Sequence, residues 1–138
     1  MTSSPQSYFG LQIPFLDVLG IEAEFAKDGH SRIRLQLRPE LLNSFHVAHG
    51  GVVMSILDFA MAAAARSAHQ HVLGVITIDM TTSFIRASRG LLIAEGRVLK
   101  AGNTINYCEA SVFDETGELT AKASGSFMLN RGKPSPNK

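Results

Sequence analysis

The stretch NSFHVAHGGVVMSILDFAMAAAA, residues 43–65, joins a polar loop to an almost wholly apolar segment. It carries Asn43, His46, His49 and the pair Gly50-Gly51, and Asp58 follows eight residues after Gly50. Asp58 is the sole carboxylate between Gly51 and Ser67. A lone aspartate in a helix is ordinarily exposed or paired, and Arg66 is the candidate partner. A segment greasy on every side offers it no solvated face. Burial without a partner raises the pKa of a carboxyl and costs stability. Proteins tolerate such a cost where chemistry needs the group.

The glycines supply the complementary half. A helix that begins at Gly50-Gly51 presents free backbone N–H groups and the positive end of its dipole. Glycine lets a ligand approach that backbone closely. The result is a candidate oxyanion hole, with His49 and Asn43 just upstream to orient a substrate. Eight helical residues span about 12 Å, whereas both groups must lie within ~3 Å of one reacting carbonyl. Two copies of the helix, antiparallel across a two-fold axis, resolve the conflict. The Gly50 end of one chain then meets Asp58 of the other, which predicts a dimer with two interfacial sites.

The surrounding pattern predicts the elements that position these groups. LQIPFLDVLG reads as a short helix or turn with Pro14 at its start. IEAEFAKDGHSRIRLQL reads as a hairpin, with Ile21, Ala23 and Phe25 on one face, a turn at Asp28-Gly29, and Ile33, Leu35 and Leu37 resuming the alternation. Pro39 ends that strand. Residues 51–68, rich in Ala, Met and Leu, predict a buried helix. VITIDMTTSFIR, LLIAEGRVLKAG, NTINYCEASVFD and ELTAKASGSFML read as strands, with hairpin turns at Gly102-Asn103 and Glu115-Thr116-Gly117. The tally is about six strands and one long apolar helix. The expected architecture is α+β, a curved antiparallel sheet wrapped around a central helix, in one domain spanning 1–138. Residues 1–7 and 131–138 read as flexible tails, and the outer face and edges of the sheet as candidate subunit interfaces.

Thirteen Lys and Arg stand against twelve Asp and Glu, a formal charge of +1. That balance gives no support to a nucleic-acid or membrane-surface role. The single cysteine, Cys108, excludes an intrachain disulfide and reads as a small buried residue in a strand. MTSSPQS lacks the features of a secretion signal, and the longest apolar run is broken by Ser55, Asp58 and Arg66 before it reaches the length of a membrane span. The expected location is cytoplasmic.

The constellation Asn43, His49-Gly50-Gly51 and Asp58, on a strand–helix–strand background, resembles the hotdog-fold acyl-CoA thioesterases, and within them the PaaI type linked with phenylacetate catabolism. The resemblance covers about residues 10–130. It implies a hotdog fold paired into homodimers and often homotetramers, acting on an acyl-CoA thioester without a further cofactor, coenzyme A being part of the substrate. Asp58 is similar to the catalytic carboxylate, as nucleophile or as general base for water. Gly50 is similar to the donor that polarises the thioester carbonyl, and His49 to the residue supporting that geometry. Asn43 resembles the residue that positions the water or the carboxylate. Thr77 matches a Ser/Thr position that assists water beside the aspartate. Asp58 and Thr77 would come from one subunit, and Asn43, His49 and Gly50 from its neighbour. Many relatives carry glycine three residues after the asparagine, where this chain has His46.

Substrate contacts are expected from His46, Gly51 and Met54. Arg86 and Arg89 are candidates for the phosphates of coenzyme A, and Gly102 and Asn103 for its nucleotide end. Arg97 and Lys100 read more simply as solvated surface, and Met61, Met80 and Phe84 as core. His46 with His49, and His69 with His71, lack a cysteine or carboxylate at metal-binding spacing, so no metal is expected. The expected reaction is hydrolysis of an aromatic or medium-chain acyl-CoA. Two alternatives remain: an acyl-thioester dehydratase or hydratase, which commonly wants a catalytic histidine paired with a separate helix acid, and a non-catalytic acyl-CoA binder.

Overall fold

The computed structural model describes residues 7–132. The tails expected at 1–7 and 131–138 lie almost wholly outside the described residues. A short helix α1 (Pro14–Leu19) leads into strands β1 (Glu22–Lys27) and β2 (His30–Gln36). A 3-10 turn at Pro39–Leu41 precedes the long helix α2 (Gly50–Ser67). Strands β3 (Gly74–Phe84), β4 (Leu91–Lys100), β5 (Ile105–Phe113) and β6 (Leu119–Asn130) follow. They form one antiparallel sheet in the order β1-β2-β4-β5-β6-β3, and α2 packs against all six strands. The hotdog architecture read from the sequence is the one observed.

The concave face of the sheet explains how a helix fits inside it. Ile33, Leu35, Leu92, Val112 and Phe127 are fully buried against α2. Between them the sheet carries small residues, Ala94, Ala110, Ala121 and Ala123, so the helix lies close. The approach is tightest at Gly96, where a Cβ would stand 2.3 Å from the Ala60 carbonyl oxygen. The buried Ser31 hydroxyl donates to that same carbonyl. Cys108 is buried in β5, as expected, and that burial pushes its thiol up to about 12.

The hairpin turn forms where the sequence placed it, with Asp28 and Gly29 both left-handed (φ 51° and 82°). One expectation for its strand is corrected. A bulge between Ala23 and Phe25 shifts the register of β1. Phe25 therefore leaves the inner face and lies 42% exposed outside, with the Arg32 guanidinium 5.5 Å above its ring. A bulge inserts one residue and flips every side chain after it, so strict alternation misplaces Phe25.

The two sheet edges differ. The β1 edge is short, bulged and bordered by Glu22 and Glu24, which pair with Arg34 and Arg32. The β3 edge is 11 residues long, pairs with β6 on one side and exposes Ile76 (47%) and Ile78 (52%). A long edge that exposes two isoleucines invites another strand, although the exposed Asp79 and a register shift between Thr77 and Asp79 interrupt it. The outer face carries ion pairs between neighbouring strands, Arg32–Glu95 and Arg97–Glu109 among them. At that exposure each contributes little to stability.

Candidate active site

Helix α2 is not greasy on every side. Met54, Ser55, Asp58, Ala62 and Arg66 recur at helical spacing and form a stripe that the sheet leaves partly open. Asp58 lies mid-way along it, half-buried. Thr77 on β3 donates its hydroxyl to Asp58 Oδ1 at 2.6 Å. Burial raises the pKa of the Asp58 carboxyl, and the Thr77 hydrogen bond works against that rise. Arg66 is not the partner. Its Nη1 donates to the Phe9 carbonyl (2.7 Å) and its Nε to the Val72 carbonyl (3.1 Å).

A cavity of about 480 Å³ opens beside Asp58. Asp58, Ser55 and Thr77 line it together with Phe59, Ala62 and Val75. The segment before and including α1 closes another side with Tyr8, Phe9, Leu11 and Phe15, and Arg66, His69 and His71 line it too. The volume suits a small organic group, and apolar walls with few polar groups are usual for such a site.

The N-terminal tip of α2 is built by its own loop. Asn43 accepts at Oδ1 from the N–H groups of Phe45 (2.9 Å) and Val47 (3.3 Å), so its carboxamide braces the turn. His46 sits in that turn with φ +60°. The glycine expected there in relatives suits the left-handed backbone that His46 adopts here. Ala48 donates to the Ser88 carbonyl, which ties the β3–β4 connection to the loop. His49 caps the helix, with Nδ1 accepting from Gly51 N–H at 2.8 Å. That bond places the imidazole proton on Nε2. Val52 and Val53 N–H both donate to the His49 carbonyl. Gly50 N–H is thus the one amide of this first turn without an acceptor among the described residues.

The single chain therefore holds the candidate residues in two separate groups. Asn43, His46, His49, Gly50 and Gly51 gather at the tip of α2. Asp58 and Thr77 lie two turns down, with Met54 one turn above Asp58 on the same stripe and 44% exposed. Arg86 is ion-paired with Glu118, whereas Arg89 is exposed with no ion pair among the described residues. Gly102 and Asn103 lie at the opposite end of α2. The Asn106 amide bridges the Gly102 carbonyl (3.3 Å) and His69 Nε2 (2.8 Å) there. Sequence reasoning missed the Tyr8–Phe15 wall and the clamp made by Arg66. The only signal was an aromatic pair followed by glycine, which marks a turn but not what it packs on.

A family model described as the thioesterase superfamily matches residues 45–121, from the α2 loop into β6. A Halobacterium salinarum protein, provisionally named an esterase, is 36% identical over 127 residues, covering 84% of each chain. The chain belongs to the thioesterase superfamily. Among solved structures, the Escherichia coli PaaI protein of the phenylacetic acid degradation operon superposes with a TM-score of 0.80 at 21% identity, covering 89% of this chain and 88% of that one. A Streptococcus mutans protein whose structure holds acetyl-CoA superposes with a TM-score of 0.73 at 20% identity, covering 83% and 91%. At those identities the two structures establish a shared fold, while the family match and the Halobacterium relative support a hydrolase role of the thioesterase type.

Proposed function

We propose that the protein is a cytoplasmic acyl-CoA thioesterase that cleaves an aromatic or medium-chain acyl-CoA to the free acid and coenzyme A. The observation that carries this reading is the half-buried Asp58 carboxylate, held by Thr77 in the wall of a cavity lined mainly by apolar residues. Acetyl-CoA in the Streptococcus mutans relative supports the thioester class.

In this reading the site is completed by a second copy. The open β3 edge pairs across a two-fold axis and covers Ile76 and Ile78. Two α2 helices then lie antiparallel, and Gly50 of one approaches Asp58 of the other. Two such dimers associate into a tetramer. The Gly50 N–H binds the thioester oxygen and stabilises negative charge as it develops. Asp58 either takes a proton from water as it attacks or attacks the carbonyl itself. In both routes the C–S bond breaks and coenzyme A leaves as a thiolate that is then protonated; water adds to the thioester carbonyl when Asp58 acts as base, and to the acyl–Asp58 anhydride when Asp58 attacks. One turnover in heavy-oxygen water shows which carbonyl water attacks. Label in Asp58 after that turnover indicates an anhydride opened at the Asp58 carbonyl, and label confined to the acid means that water attacked the acyl carbonyl. Arg89, exposed and without an ion pair among the described residues, suits a coenzyme A phosphate better than Arg86, which Glu118 neutralises. The hydratase alternative wants a histidine paired with the helix acid. Here Thr77 partners Asp58 and His49 Nδ1 is committed to Gly51.

The test is thiol release across a panel of aryl and straight-chain acyl-CoAs, with Asp58→Asn as control. The wild type releases thiol, and the variant binds substrate but turns over at least about a hundredfold more slowly, as loss of a group acting in the transition state requires. A wild type silent across the panel, or a fully active Asp58→Asn, overturns the proposal.

A further inference from the structure

One wall of the cavity is held in place by unusual means. Tyr8 and Leu11 exchange backbone hydrogen bonds (2.7 and 3.2 Å) around a two-residue turn. Its central residues, Phe9 and Gly10, are both left-handed, with φ +56° and +93°. Glycine adopts that backbone freely, whereas phenylalanine does so only where its surroundings hold it. The Phe9 ring stacks on Phe59, with centroids 6.1 Å apart and planes at 20°. The Tyr8 ring meets Phe59 edge-on at 5.8 Å, and its hydroxyl donates to Asp17. The Phe9 carbonyl accepts from Arg66.

Arg66 lies eight residues beyond Asp58 on the same open stripe, about 12 Å along the helix. Its other bond holds the Val72 carbonyl, so one guanidinium ties two cavity-lining segments to the end of α2. An acyl group whose carbonyl sits at Asp58 and whose body runs along Ala62 is directed towards this clamp. We propose that Phe9 sets the length of acyl group the enzyme accepts, with Arg66 as the positioning residue that fixes the Phe9 wall. This inference rests on the thioesterase reading above.

The test compares wild type, Phe9→Ala, Phe9→Trp and Arg66→Gln, with Val18→Ala as an exposed control outside the cavity, on straight-chain acyl-CoAs from acetyl to palmitoyl. In Phe9→Ala the preferred chain lengthens, and each methylene newly buried raises kcat/KM by about fourfold. Phe9→Trp moves the preference to shorter chains. Arg66→Gln flattens the profile while acetyl-CoA turnover persists, a change of ratio that simple destabilisation does not produce. In parallel, calorimetry measures binding of straight-chain carboxylates to wild type and both Phe9 variants. The same shifts in preferred length are expected there. If the wild type releases no thiol, the hydrolase reading falls and the carboxylate profile alone decides this inference. Unchanged length profiles in folded Phe9→Ala and Phe9→Trp overturn it.

Discussion

Gly50→Pro replaces one hydrogen-bond donor with a ring methylene on the same nitrogen. Gly50 is the first residue of α2, a position where proline is favoured because the missing N–H has no helical acceptor. Pro14 and Pro39 already stand in the first turn of the two short helices. The residue before a proline must be extended, and His49 has φ −61° and ψ 138°. A Cβ at Gly50 meets the Phe84 ring at 3.5 Å, ordinary van der Waals contact. Folding is therefore preserved, and the stiffer unfolded chain adds about 0.4–1 kcal/mol of stability. Catalysis is another matter. Loss of one oxyanion donor costs about 10²–10³ in kcat, or about 2.7–4 kcal/mol of transition-state stabilisation. Gly50→Ala is the matched control, since it adds the Cβ and keeps the N–H. Thiol-release kinetics and a thermal melt decide the matter together. A Gly50→Pro protein that melts at or above the wild-type temperature and retains full kcat would refute the assignment of Gly50 as the donor.

Further outcomes follow from the same geometry. Burial holds the Asp58 carboxyl above its ordinary pKa, so the native state keeps that proton to higher pH than the unfolded chain. Stability is full below the ordinary carboxylate range and falls as pH rises through the raised value. Asp58→Asn abolishes that decline, so its melting temperature exceeds that of the wild type at pH 7 and the gap narrows in acid. Equal melting curves at every pH would contradict it. At His46, with φ +60°, glycine is tolerated at least as well as histidine, whereas His46→Val loses about 1–2 kcal/mol, read by urea unfolding. Gly96→Ala drives a Cβ against the Ala60 carbonyl and loses about 1–3 kcal/mol in the same assay.

Much of this was legible before any coordinates. The turns at Asp28-Gly29 and Gly102-Asn103 carry their own chemistry, and the apolar run after Gly51 admits little but a core helix. The illegible parts depend on position rather than pattern. A bulge leaves no signature in alternating residues, and so Phe25 was placed inside. The family resemblance set Thr77 beside Asp58, but periodicity could not, since the two are 19 residues apart on different elements and their hydrogen bond follows from how β3 lies against α2. Arg66 shares a helix stripe with Asp58 and looks like its partner, yet the carbonyls of Phe9 and Val72 occupy its guanidinium. The Tyr8–Phe15 wall is too short for periodicity to reveal, and it is held by an arginine 57 residues away from Phe9.

The central claim is that a working site combines Asp58 of one chain with Gly50 of another. Complementation tests it most directly. Asp58→Asn and Gly50→Pro proteins, each nearly inactive alone, are unfolded together and refolded as a mixture. Half of the dimers then contain both chains, and in each of these one of the two sites is intact, so about a quarter of wild-type thiol release returns. A mixture no more active than its separate components would contradict a site shared between two chains.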